Sequence, residues 1–409
     1  MNKNRLKILI PNATSARNIG DAAMLDSLIS LVKNSFKNPK IVIHSNEPEL
    51  YPSAIAHRIE KTLYYWASFS TENKPLRVFR IAWVFIAYFL IIFNIHITLS
   101  KELSKLIEDY KDADLIIFVG GGYFRSKTGL TQSVHLLLLL SMFWYAGLCR
   151  SKKIIAPISF GPFAHKWQEL LTARAIKNFE VVSVREKISF DKLKKNRIRN
   201  LILAADHGLL QKKSSTKKKN LKSQIKLGFT VRNWLANPYG RSFELHFIEA
   251  IKHLSSKYNL IVQPIIQVHA PLHPQEDDSL ATTRVIKELN KSSIQVNRVK
   301  KIKNVDHAKK IYADVDLLLG MRMHSNILAA TQGTPFLAIS YEHKSEGIAK
   351  YLGMEKYCIK CEKVNKENLY ELLVDVYKNR NDLKNKLLSS VKAIQINETQ
   401  KWNKILSQY

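Results

Sequence analysis

"LLLGMRMHSNILAATQGTP", residues 317–335, changes its periodicity halfway. Three leucines running into Gly320 read as a strand buried on both faces. From Met323 onward, small and apolar residues recur at helical spacing. Gly333 suits the end of that helix, and Pro335 opens the next apolar run. A buried strand, a tight corner, a helix and another buried strand make the repeating unit of a parallel sheet covered by helices.

The same alternation runs outward in both directions. Toward the N-terminus, strands are expected at "LKILIP" (6–11), "KIVIHS" (40–45), "ADLIIFVGGGYF" (113–124), "KKIIAPISFGPF" (152–163), "FEVVSVREKIS" (179–189) and "NLILAADHGLL" (200–210). Helices separate them, one from about Asp21 to Lys33 and one in "VHLLLLLSMFWYAGLC" (134–149). After a Lys/Ser-rich linker at 212–223, the pattern resumes at "IKLGFTVR" (225–232) and "LIVQPIIQ" (260–267). Helices near 241–257 and 276–290 follow those runs. A chain of 409 residues exceeds what one core usually fills. The economical solution is α/β: two Rossmann-like domains, 1–211 and 224–363, facing a cleft, with C-terminal helices over 364–409. Ligands then belong near the carboxyl ends of the strands.

Lys and Arg number 64 against 34 Asp and Glu, a formal charge of +30. Such a balance favours anionic partners: phosphorylated substrates or acidic lipid surfaces. Nucleic acid is not expected, because zinc-finger spacing, RRM-type aromatic motifs and a basic helix with a zipper are all missing from the sequence. Cys149, Cys358 and Cys361 are too few for a disulfide framework, and a lone CxxC supplies half the ligands zinc needs. The opening "MNKNRLKILIP" reads as a charged lead into a strand, not a secretory leader. "IAWVFIAYFLIIFNIHITLS" (81–100) carries no formal charge and is long enough to cross about 30 Å of hydrocarbon. A span would separate strand 6–11 from strand 115–119, which the fold needs in one sheet. The stretch is therefore expected to be either a buried helix or an in-plane helix at a membrane surface.

Several corners carry chemistry. At 317–335 the helix starts next to Arg322, a permanent cation with a planar fork, and His324, which can move a proton. "NIGDAAML" (18–25) combines Gly20, for close backbone approach, with Asn18 and Asp21, which can bind hydroxyls. "GGGYF" (120–124) is a glycine corner of Gly120, Gly121 and Gly122 that lacks the Lys and Ser/Thr of a phosphate loop. Arg185 and Arg232 each stand at a strand's carboxyl end, and Glu342 and Lys344 follow the strand after the Arg322/His324 helix.

Taken in order, "NIGDAAML", "FVGGGYF", "PISFGPF", "SVREKIS", "ADHGLL", "GFTVR" and "GMRMHSNILAATQGTPFLAISYEHKSEGI" make the chain resemble the polysaccharide pyruvyl transferase family. The resemblance runs from residue 6 to about 353 and departs at "AADHGLL", where the family more often has Asp-Pro-Ala. It implies a GT-B-like fold and transfer of pyruvate from phosphoenolpyruvate onto a sugar as a cyclic ketal. It also implies no metal and no cofactor beyond that co-substrate. His324 and Arg322 would then be catalytic. Arg185, Arg232, Lys344, Ser325 and Glu342 would bind the donor, and Asn18, Gly20, Asp21 and Gly120–Gly122 the acceptor.

The acceptor would be a sugar of a surface polysaccharide or its lipid-diphosphate-linked precursor. This suits a cytoplasmic protein held peripherally on the inner face of the plasma membrane, against an anionic surface. Two other readings compete: a glycosyltransferase of the same architecture using a nucleotide sugar, and an inactive scaffold of a polysaccharide-building complex.

Overall fold

The computed structural model describes residues 5–69, 72–95, 100–215, 224–234, 237–270 and 276–409. Residues 216–223 of the expected linker and 96–99 of the apolar stretch lie outside the described residues. The chain forms two compact units. One takes residues up to Ala16, Met24–His207 and Gln400–Tyr409; the other takes Arg17–Ala23 and Gly208–Thr399.

The first unit begins with β1 (Lys7–Ala13), α1 (Ile19–Ser35), β2 (Lys40–Ser45) and β3 (Arg58–Lys61). It continues through α2 (Leu63–Ser68), α3 (Lys74–Ile92), α4 (Lys101–Asp112), β4 (Leu115–Phe118) and β5 (Gly121–Ser126). It then adds α5 (Leu130–Gly147), β6 (Lys152–Phe163), α6 (Lys166–Ile176), β7 (Val181–Val184), α7 (Lys187–Lys195) and β8 (Leu201–Leu203). The sheet runs β3-β2-β1-β4-β6-β7-β8 with β5 beside β6, every pairing parallel. Strand "LIIF" of β4 is buried at every position, as a strand covered on both faces must be. Phe118 stacks on Phe143 of α5 at 4.0 Å, the centre of an aromatic core that includes Phe124, Phe160 and Phe179.

The second unit contains β9 (Ile225–Thr230), α8 (Gly240–Lys257), β10 (Leu260–Ile266), α9 (Ser279–Asn290), β11 (Gln295–Val296) and β12 (Lys300–Lys301). Next come α10 (Val305–Ala313), β13 (Leu317–Gly320), α11 (Met323–Gln332), β14 (Phe336–Ser340), α12 (His343–Tyr351) and β15 (Cys358–Lys360). α13 (Lys366–Lys378) and α14 (Arg380–Leu406) end the chain. The sheet order is β11-β10-β9-β13-β14-β15 with β12 beside β10, again parallel throughout.

The expected pair of parallel-sheet α/β units with C-terminal helices is therefore present. α11 begins one residue after Arg322 and ends at Gly333, whose φ of 74° is the left-handed cap that a Cβ would penalise. In both sheets the order reverses beside the first strand, between β1 and β4 and between β9 and β13, the kind of switch point outside which open α/β sheets bind their ligands.

The apolar stretch resolves into α3, which starts earlier than expected. Asn73 caps it, its side chain accepting from Leu76 N, and Pro75 sits in its first turn. β3 before α3 and β4 after it lie in one sheet, so α3 does not carry the chain across a bilayer. It is not a buried helix either: Val84 and Ala87 are its buried residues.

Candidate active site

The second unit gathers most of the expected residues just beyond the carboxyl ends of β9, β10, β13 and β14. β13 delivers the chain to Gly320, where a Cβ would lie 1.8 Å from Asn326 Oδ1, so only glycine lets the corner close. Asn326 Nδ2 donates back to Gly320 O at 3.1 Å and locks the turn. Arg322 then occupies the N-cap position of α11, and His324 stands in its first turn, half-buried.

His324 meets a partner from the other end of the chain. The segment Arg17–Ala23 docks on the end of β10 through an antiparallel bridge between Asn18 and Val268, and His269 N donates to Arg17 O at 3.2 Å. The docking brings Gly20 against the imidazole: a Cβ there would stand 2.2 Å from His324 Nδ1 and 2.3 Å from Cγ. Two corners that are 304 residues apart in sequence numbering (324 less 20) thus form one wall. Asn18 acts locally. Its Oδ1 accepts from Gly20 N at 3.1 Å, and its Nδ2 donates to Asp21 Oδ2 at 2.9 Å, fixing the start of α1.

Arg322 differs from the open cation expected of it. It is largely buried, and its Nε and Nη2 donate to Asp278 Oδ1 at 2.9 and 2.7 Å, with Nη2 also donating to Glu276 O. Burial works against its charge, but the Asp278 carboxylate, Tyr341 and Glu276 outweigh that and hold the guanidinium protonated more firmly than in water. Burial pushes the Asp278 carboxyl up, with Arg322 pulling it back. Asp278 Oδ2 also accepts from Val268 N at 3.0 Å, so one buried carboxylate ties Arg322 to the residue on which Asn18 docks.

The remaining cations are held in the same way. Arg232 Nη2 donates to Glu276 Oε1 at 2.9 Å, Nη1 lies 3.8 Å from Glu342 Oε1, and the guanidinium sits 5.0 Å from the Tyr341 ring centre. Lys344 Nζ pairs with Glu342 Oε2 at 2.5 Å. Arg232, Arg322 and Lys344 are thereby matched by Glu276, Asp278 and Glu342, and the six charges sum to zero.

Two residues expected to bind the donor already have partners inside the protein. Ser325 is fully buried, its hydroxyl shared with Thr230 Oγ1 at 2.8 Å and donating to Arg322 O, so it braces the corner from inside. Arg185 belongs to the first unit and is buried; its Nη1 donates to Asp206 Oδ2 at 2.6 Å and its Nε to Ser159 Oγ at 2.9 Å. That arginine neutralises a fully buried carboxylate beside the "ADHG" turn.

Gly120–Gly122 also lie in the first unit. Gly120 passes close to β6, where a Cβ would meet Pro157 O at 2.4 Å, while Gly121, with φ of 147°, and Gly122 enter β5 directly. This corner is pinned to β1 by Asn12, whose Nδ2 donates to Val119 O at 3.2 Å and whose Oδ1 accepts from Val119 N at 2.7 Å. Asn18, Gly20 and Asp21, expected with this corner, group instead with the second unit.

Asp278, Glu276, Tyr341 and Asn12 were missed in the sequence. A signal for two of them existed: "EDD" at 276–278 is an acidic run in a chain of charge +30. Among the described residues no cluster of His, Cys, Asp and Glu could hold a metal ion.

Comparison with known proteins adds to this geometry. The family model for polysaccharide pyruvyl transferase matches residues 18–343. The amylovoran biosynthesis protein AmsJ of Erwinia amylovora is 22% identical over 279 residues, 63% of this chain. The match spans 64% of the length of that relative. Among solved structures, Anabaena HepE in complex with UDP-glucose aligns with a TM-score of 0.58 and 12% identity, over 99% of this chain and all of that one. The UDP-GlcNAc 2-epimerase of Neisseria meningitidis bound to UDP-GlcNAc aligns with a TM-score of 0.55 and 12% identity, covering 96% and 99% of the two chains. At these identities the likeness concerns the fold.

Proposed function

The chain belongs to the polysaccharide pyruvyl transferase family, and on that premise we propose that it moves pyruvate from phosphoenolpyruvate onto two hydroxyls of a sugar, forming a cyclic ketal. The acceptor is a residue of a surface polysaccharide or its lipid-diphosphate-linked precursor, met at the inner face of the plasma membrane. One observation carries the reading. His324 is held at the start of α11 by Gly20 packed against its ring, two residues from a buried and firmly protonated Arg322. A fixed imidazole beside a fixed cation at a helix N-terminus suits proton transfer next to a developing anion.

In the proposed reaction His324 gives a proton to the methylene carbon of phosphoenolpyruvate, leaving an oxocarbenium centre at C2. One sugar hydroxyl adds to C2 and loses its proton; the C2–O bond to phosphate breaks; the neighbouring hydroxyl adds and closes the ring. Of the two hydroxyl protons, one balances the new methyl group and the other leaves with phosphate. Arg322, preset by Asp278, stabilises the charge that gathers on the departing phosphate. Arg232 and Lys344 bind the donor carboxylate, displacing Glu276 and Glu342 from them.

A specific observation favours a second reading. Arg232, Arg322 and Lys344 are each already paired with a carboxylate, and a nucleotide-sugar donor would instead use Glu342, at the start of α12, to accept from its ribose hydroxyls. The fold neighbour HepE was solved in complex with UDP-glucose. The test is phosphate release from phosphoenolpyruvate over free and lipid-linked sugar acceptors, with product mass as second readout. Release that falls at least about a hundredfold in His324→Ala supports the assignment; wild-type turnover in that variant removes it. A melting shift with UDP-glucose and none with phosphoenolpyruvate selects the second reading, and a shift with neither leaves a scaffold.

A further inference from the structure

α3 presents two faces of opposite character. Val84 and Ala87 are buried, Tyr145 donates its hydroxyl to Val84 O at 2.8 Å, and Phe85 and Tyr88 rest on Trp144 of α5. On the other side Phe79, Ala82, Ile86, Phe89 and Phe93 follow one another at steps of 3, 4, 3 and 4 residues, the spacing of a single helix face. That face points outward: Phe79 is 57% exposed, Ile86 45%, Phe89 58% and Phe93 70%, flanked by exposed Val78 and Ile92. A helix on the surface of a soluble domain ordinarily carries Lys and Glu there. This one offers an apolar stripe about 21 Å long at 1.5 Å per residue.

The charges say what covers it. From Asn73 to Ile95 the sequence contains no Asp or Glu, and its charged residues are Lys74, Arg77 and Arg80, all in the first two turns. Lys74 is exposed at the rim of the stripe, and the whole chain carries +30. A second copy bears the same charge and is repelled; an anionic surface is attracted. Crossing the surface is barred, since β3 and β4 on either side of α3 share a sheet. What remains is a helix lying in the plane of an interface.

We propose that α3 is a membrane-docking helix whose Phe79, Ile86, Phe89 and Phe93 enter the acyl boundary of an anionic leaflet, with Lys74 meeting its phosphates. It rests on the peripheral placement stated above but not on the transfer chemistry. Docking would hold the enzyme on the surface where a lipid-linked sugar is presented, raising the acceptor's effective concentration.

The test omits donor and acceptor, so its failure leaves pyruvyl transfer untouched. Purified full-length protein is sedimented with vesicles of phosphatidylcholine alone or with about 30 mol % phosphatidylglycerol, at low and high salt. The wild type is expected to partition onto the anionic vesicles, more weakly at high salt, and the doubly substituted Ile86→Asp/Phe89→Asp protein at least about tenfold less. Leu245→Asp, an exposed apolar residue on α8, controls for added charge and should bind as the wild type does. Should the double variant fail to fold, Phe93→Asp at the exposed end of the helix answers the same question. The proposal is overturned if the wild type stays in solution with anionic vesicles, or if the folded variants bind undiminished. It is equally overturned if light scattering shows that α3 variants split a wild-type dimer that ignores lipid.

Discussion

Replacing Gly20 by alanine tests the contact between the two ends of the chain. In an ordinary first turn, Gly→Ala stabilises a helix by about 0.5–1 kcal/mol. Here the added methyl would stand 2.2 Å from His324 Nδ1, 2.3 Å from Cγ and 2.6 Å from Cβ. Two of those atoms turn with the ring, but the third is fixed to the α11 backbone, so no rotamer clears the clash. Relief needs α1 or α11 to move by nearly 1 Å, an overpacking cost of about 1–3 kcal/mol. Set against the helix gain, a net loss of about 1 kcal/mol lowers a melting temperature by roughly 2–4 °C for a unit near this size. The His324→Gly background makes the test specific, because it removes Nδ1, Cγ and Cβ together, the three atoms the added methyl would meet. There Gly20→Ala should cost less than about 0.5 kcal/mol or turn stabilising. Thermal melts of the wild type, both single variants and the double variant complete the cycle. An equal cost in both backgrounds would refute the contact. Phosphate release adds a second readout: a ring displaced by about 1 Å should lose on the order of a hundredfold in turnover.

Three further substitutions separate architecture from chemistry. Asp278→Asn leaves Arg322 buried without its carboxylate and should destabilise the second unit by about 3–5 kcal/mol in denaturant titration; a loss under about 0.5 would show the pair to be dispensable. Arg185→Ala strands the fully buried Asp206 and should cost a similar about 3–5 kcal/mol in the first unit while the folded protein binds donor as before. Weaker donor binding with unchanged stability would return Arg185 to the donor site. His207 is fully buried, edge-on to Trp402 and next to Asp206, and burial lowers its pKa to about 4 from the usual 6.5. The folded protein thus binds fewer protons than the unfolded chain, so this contribution is complete above pH 6.5 and disappears as pH falls through 4. His207→Phe keeps the ring and removes the titration. The wild type should therefore lose about 3 kcal/mol more than the variant between pH 7 and pH 4, whereas parallel stability curves would contradict it.

Much of this was readable before any coordinates. The leucine run ending at Gly320 can be a strand because it is apolar on both faces, and Gly333 can end a helix because it tolerates φ of 74°. Such signals are local, complete within a few residues. The partners of the cations were not local. Nothing near Arg322 in sequence announces Asp278, which lies 44 residues earlier, and nothing near Arg185 announces Asp206. Sequence shows that an arginine is present but not whether its charge is already matched, because ion pairing depends on which loops the sheet order brings together.

The amino-acid sequence by itself determined two parallel-sheet units, their glycine corners and the helix that carries Arg322 and His324, since each follows from periodicity and backbone freedom along one stretch of chain. Only the tertiary structure decided that Gly20 backs His324, that Ser325 and Arg185 are braced inside, and that α3 keeps an apolar face outside. Contact and burial are properties of what packs against a residue. In a parallel sheet, neighbouring strands are joined through long crossovers, so what packs there comes from distant sequence.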